Sequence, residues 1–213
     1  MFQDGKIKNI IFDLGGVLLL IDYDLTEKAF KKLGLTDFDK LYNQFNQNNL
    51  FDAYETGKIS SDEFRKALKQ HLPVSVSNEQ IDAAWNTMLL EMPEERIAML
   101  YKLKKHFNIY LFSNTNEIHI KHFREYMDTK FGKSLFDDIF IEHYYSHKLG
   151  ARKPNPASFQ KVLDLENLKA EETFFIDDSP QHIEGAKSIG IKAYHLNLKT
   201  GETVLDVFKD YLT

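Results

Sequence analysis

Four short segments hold most of the residues able to do chemistry. Ile11-Phe12-Asp13-Leu14-Gly15-Gly16-Val17 sets a carboxylate directly after an apolar run and ahead of two glycines. Glycine lets a backbone turn sharply and approach a ligand closely. Ser113-Asn114-Thr115-Asn116 offers hydroxyls and amides that can donate to phosphate oxygens. The helical pattern that follows aims its first free N–H groups the same way. Lys153 lies in Gly150-Ala151-Arg152-Lys153-Pro154-Asn155-Pro156, a proline-stiffened loop that can hold an ammonium in a fixed position. Asp177 and Asp178 end the apolar run Phe174-Phe175-Ile176 and precede Ser179-Pro180. Two adjacent carboxylates are costly unless a cation compensates them, and hard oxygen donors of this kind suit Mg2+. Each segment also has a plain structural explanation. Asp13 can steady a Gly-rich turn, the Ser113 segment, Asp178 and Ser179 can cap helices, and a loop lysine is ordinarily solvated.

These groups act together only if the runs that carry them are neighbouring strands. Ile7 to Phe12 reads as a buried strand stopping at a tight turn. From Tyr23 to about Met92 the pattern is helical. Leu25–Leu33 and Phe38–Phe45 are amphipathic candidates, and capping boxes at Ser60/Glu63 and Ser77/Gln80 open two more helices. Four short helices there can bury their apolar stripes against each other as a small bundle. After Pro93 the rhythm alternates. Helices are expected at 93–105, 116–126, 155–168 and 180–189, and strands at 108–112, 138–141, 173–176 and 192–196. Alternation of this kind implies a parallel sheet with helices on both faces. The expected fold is α/β: a Rossmann-like, discontinuous core of residues 1–22 and 93–213, with a helical unit at 23–92 inserted after the first strand. The four segments would then meet at the carboxyl edge of the sheet, where open α/β folds bind ligands.

Composition sets the outer limits. The chain of 213 residues is 43% hydrophobic, enough for one generous core or a core with a small second unit. It has no Cys, which removes thiolate zinc sites, disulfides and cysteine nucleophiles and is compatible with a reducing compartment. The net charge is −5, and the densest basic cluster, Lys102, Lys104 and Lys105, suits a solvated helix face. No nucleic-acid partner is expected. The apolar stretch Ile10–Ile21 is broken by Asp13 and falls short of the roughly 20 residues a membrane span needs. A cytoplasmic protein, monomeric or weakly dimeric, is expected.

In order and placement, the four segments resemble the signature set of the haloacid-dehalogenase superfamily. FDLGGV, SNT, ARKPNP and FIDDSP look most like its branch of sugar-1-phosphate phosphatases and the amino-terminal phosphatase domains of epoxide hydrolases. The resemblance covers the whole chain, and residues 23–92 fall where one subgroup carries a small helical cap. It implies a Mg2+-dependent phosphatase acting on a small phosphorylated metabolite, with a sugar phosphate as the expected substrate. By the same resemblance Asp13 is the nucleophile, Ser113, Asn114 and Lys153 bind the phosphate, and Lys153 also serves catalysis. Asp13, the Gly15 carbonyl, Asp177 and Asp178 then form the metal site.

One position departs from that pattern. Phosphatases of this superfamily carry a second Asp two residues after the nucleophile as general acid, and this chain has Gly15 there. The backbone carbonyl survives for the metal, but the proton donor does not. Asp22, Asp24 or a cap residue are the candidates to replace it. A 2-haloacid dehalogenase also lacks that Asp but needs no metal, which sits poorly with the Asp177-Asp178 pair. A catalytically idle binding protein is the third reading.

Overall fold

The computed structural model describes residues 5–35 and 49–212. Five strands pair in parallel: β1 (Asn9–Phe12), β2 (Asn108–Ser113), β3 (His143–Tyr145), β4 (Thr173–Asp177) and β5 (Lys192–His195), in the order β3-β2-β1-β4-β5. This doubly wound order places its topological switch point beside the central strand β1. Phe12 is in register with Leu111 of β2 and Ile176 of β4. Asp13, Ser113 and Asp177 therefore emerge side by side at the carboxyl edge.

Alternation along each strand explains why the sheet is covered twice. Ile10, Phe12, Ile109, Leu111, Phe174 and Ile176 pack into one hydrophobic cluster, whereas Ile11, Tyr110, Phe112 and Phe175 pack into another. The first face is covered by α5 (Glu94–Leu103) and α6 (Glu117–Phe131), and the second by α9 (Pro156–Leu165) and α10 (Pro180–Lys187). Asn155 caps α9 ahead of Pro156, as its sequence suggests, while Pro93 sits one residue before its helix rather than inside it.

A third cluster belongs to the inserted segment. It is formed mainly by residues of α1 (Tyr23–Lys32), α2 (Asn49–Glu55), α3 (Ser61–Lys69) and α4 (Asn78–Asn86), with Ile118 of α6 packed into it from the core. The ring of Phe51 stacks on Trp85 at 5.3 Å, and that of Tyr54 on Phe64 at 4.3 Å. Both capping boxes, Ser60/Glu63 and Ser77/Gln80, form as expected. Helix α2 has no such signal and is absent from the sequence expectation, whereas the expected helix at Phe38–Phe45 lies outside the described residues. The two connections to the core pair with each other: Leu90 N–H donates to Leu20 O and Leu20 N–H to Glu91 O, both at 2.9 Å.

One strand differs from expectation. Residues 138–141 were expected as a strand, but Leu135–Ile139 is helical (α7) and β3 begins at His143. Phe136, Ile139 and Phe140 are all buried, and their i, i+3, i+4 spacing is that of a helix face. The strand itself is three residues of His and Tyr, too short and polar to register as an apolar run. No helix among the described residues is long and apolar enough to cross a membrane.

Candidate active site

Burial organises the site around Lys153. A short helix, α8 (Ser146–Leu149), ends at Gly150, and the loop beyond it carries Lys153 inward until its side chain is fully buried. Its Nζ donates to Asp13 Oδ1 at 2.6 Å, Asp177 Oδ2 at 2.7 Å and Phe112 O at 2.9 Å. All three ammonium protons thus have acceptors, which a buried lysine needs. The loop is held by Asn114. Its amide donates to Lys153 O at 2.9 Å and its Oδ1 accepts from Lys153 N–H at 3.0 Å. The Asn114 side chain thus positions the lysine. Thr115 N–H and O are joined to Ser146 Oγ at 2.9 and 3.0 Å, tying the loops after β2 and β3 together.

The two adjacent aspartates have different surroundings. Asp177 is fully buried and accepts from Lys153, from Ser179 N–H at 2.8 Å and from His182 Nδ1 at 2.9 Å. Burial alone would raise its pKa, but Lys153 and His182 outweigh that and hold it below the usual carboxylate range. Asp178 instead lines the cavity that opens on Asp13. Burial, then the charges of Asp13 and Asp177, push its pKa up to about 8. Asp13 is raised as well, first by burial and despite Lys153. One ammonium between three carboxylates leaves the cluster short of positive charge. One oxygen from each of Asp13, Asp177 and Asp178 lies within 4.8 Å of the others, so a divalent cation fits both the donor set and its charge. Gly16 makes the approach possible: at φ +78°, a Cβ there would sit 2.4 Å from Asp178 Oδ2.

The cavity, of about 770 Å3, is bounded below by Asp13, Gly15, Ser113, Asn114, Lys153 and Asp178. Tyr23, Asp52, Glu55, Met88 and Leu89 of the inserted segment and its connections bound it from above. Of the residues the resemblance assigns to phosphate and metal, Asp13, Gly15, Ser113, Asn114, Lys153 and Asp178 therefore lie at this cavity, and Asp177 stands behind Lys153 and His182.

The haloacid dehalogenase-like hydrolase family profile matches residues 7–190. This chain belongs to that family. It is 34% identical to a D-ribitol-5-phosphate phosphatase of Bacteroides thetaiotaomicron, over 88% of this chain and 91% of the relative. It is 28% identical to a sesquiterpene phosphatase of Aspergillus oryzae, over 89% of each. Among solved structures, an aspartate-to-alanine mutant of a HAD family enzyme from Bacteroides thetaiotaomicron, in complex with magnesium and inorganic phosphate, superposes with a TM-score of 0.89. The two are 33% identical, over 95% of this chain and 98% of that one.

Two features of this haloacid dehalogenase-like hydrolase escaped the sequence reading. His182 lies five residues after Asp177 in the first turn of α10, where a polar residue one turn behind an acidic strand end was the available signal. Glu55 and Asp52 reach the cavity from α2 and pair with Arg152, the neighbour of Lys153. Nothing in the sequence linked positions so far apart. Of the candidates to replace the missing acid, Asp22 is occupied as the N-cap of α1, accepting from Asp24 N–H at 3.0 Å, and Asp24 is exposed. Neither is among the cavity residues, whereas Asp52 and Glu55 are.

Proposed function

We propose that the protein is a Mg2+-dependent phosphatase that hydrolyses a small sugar or polyol phosphate through an aspartyl-phosphate on Asp13. The observation that carries this reading is the buried Asp13–Lys153–Asp177 arrangement with Asp178 beside it, at the mouth of a cavity roofed by the 23–92 segment. The phosphatase relatives, and the magnesium and phosphate held by the similar structure, support it.

Asp13, the Gly15 carbonyl and Asp178 would hold Mg2+, with Asp177 behind them. Bound there, Mg2+ neutralises charge between a carboxylate nucleophile and an anionic phosphate. An Asp13 carboxylate oxygen attacks phosphorus, the P–O bond to the leaving group breaks, and the departing oxygen takes a proton. Water then attacks phosphorus, the bond to Asp13 breaks, and inorganic phosphate and a proton leave. Lys153 fixes the nucleophile and offers its charge to the phosphate oxygens. Ser113 and Asn114, at the end of β2 and ahead of α6, complete the phosphate side.

In this reading residues 23–92 are a cap that excludes water and selects the leaving group, while residues 1–22 and 93–213 form the catalytic core. The cysteine-free chain suits a reducing cytoplasm, and a monomer or weak dimer would suffice, because one chain supplies all the groups named. The test is a screen of phosphorylated metabolites with Mg2+ and with EDTA. Mg2+-dependent turnover of a sugar or polyol phosphate is expected. Metal-free turnover of a 2-haloacid, or no turnover of any phosphate, would overturn the proposal.

A further inference from the structure

Among the described residues, few buried polar atoms lack a hydrogen-bond partner, yet two of them lie together at the cavity: Glu55 Oε2 and Arg152 Nε. Arg152 comes from the loop that delivers Lys153, and Glu55 from the last turn of α2. The guanidinium is oriented by an Nη1 bond to Asp52 and by an Nη2 contact to Glu55 Oε2 at 3.2 Å. That second contact is an ion pair without hydrogen-bond alignment, so Oε2 retains accepting capacity. Nε–H and Nη2 share one edge of a rigid planar fork. A buried donor and a buried acceptor, each without a hydrogen-bond partner, therefore lie next to each other on two residues that line the cavity.

Buried polar atoms are ordinarily satisfied, and exceptions ask for an explanation. The group that meets one donor and one acceptor through a single atom is a hydroxyl. A second phosphate is disfavoured by two carboxylates at this end of the cavity. A hydrocarbon would leave both the carboxylate and the N–H unpaired, which is costly. Resting on the phosphatase reading above, we infer that Glu55 and Arg152 form the subsite that reads the leaving group. A hydroxyl of a polyol phosphate accepts from Arg152 Nε–H and donates to Glu55 Oε2. Of the leaving groups named for the two relatives, the pair suits ribitol and opposes a sesquiterpene.

The experiment compares kcat/KM of the full chain with Mg2+ on D-ribitol 5-phosphate and on n-pentyl phosphate, which has the same carbon count and no hydroxyl. Wild type, Glu55→Gln and Arg152→Lys are measured. The second variant keeps the cation facing Asp52 but loses Nε–H. A hydrogen bond to a charged group sets the scale, on the order of 10- to 100-fold in the ribitol/pentyl ratio. That ratio should fall by about tenfold in each variant. The change between proteins cancels the difference in leaving-group pKa between the two esters. If Glu55 and Arg152 merely clamp α2 to the core, both substrates lose rate together and an unchanged ratio overturns the subsite. A variant that fails to fold is replaced by the other as the deciding protein. Wild-type turnover of p-nitrophenyl phosphate with unshifted ratios would sink the subsite alone, whereas no turnover of any ester by wild type would sink the phosphatase reading itself.

Discussion

Replacing Lys153 by Met would keep the aliphatic stem of a fully buried side chain and remove only its charge. Three hydrogen bonds disappear, to Asp13, Asp177 and Phe112 O, at 2.6, 2.7 and 2.9 Å. Asp177 retains Ser179 N–H and His182, but Asp13 loses the Lys153 ammonium bonded to its carboxylate. Removing one partner of a buried ion pair costs about 3–5 kcal/mol. With a urea m-value of about 2–3 kcal/mol/M for a chain of this size, the midpoint should fall by roughly 1–2 M in EDTA at pH 8. A domain stable by about 5–15 kcal/mol would still fold. The deficit should depend on pH with a definite sign. In the variant the Asp13 pKa in the folded state rises further above its unfolded value of about 4. The destabilisation is complete above that raised pKa and fades as pH falls through it, because the folded state then takes up the proton. Urea titrations at pH 8 and pH 5 test this. A loss under about 1 kcal/mol at pH 8, or one equal at both pH values, would refute the claim that Lys153 is the charge on which this cluster depends.

Other consequences can be checked separately. Gly16→Ala forces a Cβ onto Asp178 Oδ2 at a left-handed backbone position, so half-saturation by Mg2+ should rise at least about tenfold, measured calorimetrically and by activity; unchanged affinity would remove Asp178 from the metal site. In EDTA, wild type should gain on the order of 2–3 kcal/mol as pH falls from 8.5 to 6, because Asp178, pushed up to about 8, is protonated more readily folded than unfolded. Stabilisation by Mg2+ should be larger at pH 8.5 than at pH 6, and a flat profile in thermal melts would contradict both. Without an Asp at 15, log kcat/KM over aryl phosphates should fall steeply with leaving-group pKa, and Gly15→Asp should flatten it relative to Gly15→Asn. The new Cβ meets Ile21 Cδ1 at 3.3 Å, so Ile21 must yield slightly. A flat wild-type slope would mean another acid acts, with Glu55 and Asp52 first to test.

Sequence pattern made most of the core legible because its strands are apolar on both faces and end at chemically distinctive residues. Asp13, Ser113 and Asp177 could be aligned in advance, since a parallel sheet brings successive strand ends to one edge. Strand β3 could not, because its three residues carry no apolar run and the buried Phe136, Ile139 and Phe140 before it imitate one. In the site, residue type singled out Asp178 and Lys153 but not how neighbouring side chains divide between the cavity and the interior. That Asp177 faces Lys153 and His182 while Asp178 faces the cavity follows from side-chain packing. The role of Asn114 in holding the Lys153 backbone was invisible for the same reason. Glu55 and Arg152 are 97 positions apart in the chain, and only folding α2 onto the core loop makes them partners.

The covalent role of Asp13 is the centre of this account, and rapid acid quench tests it most directly. Wild type turning over a phosphate ester with Mg2+ would be quenched at times shorter than one turnover and its peptides analysed for phosphate. An acid-stable, hydroxylamine-labile phosphoryl group on the peptide containing Asp13, absent in Asp13→Asn, is the predicted result. Full product release with no phosphorylated peptide at any quench time, or with phosphate on a different residue, would contradict it.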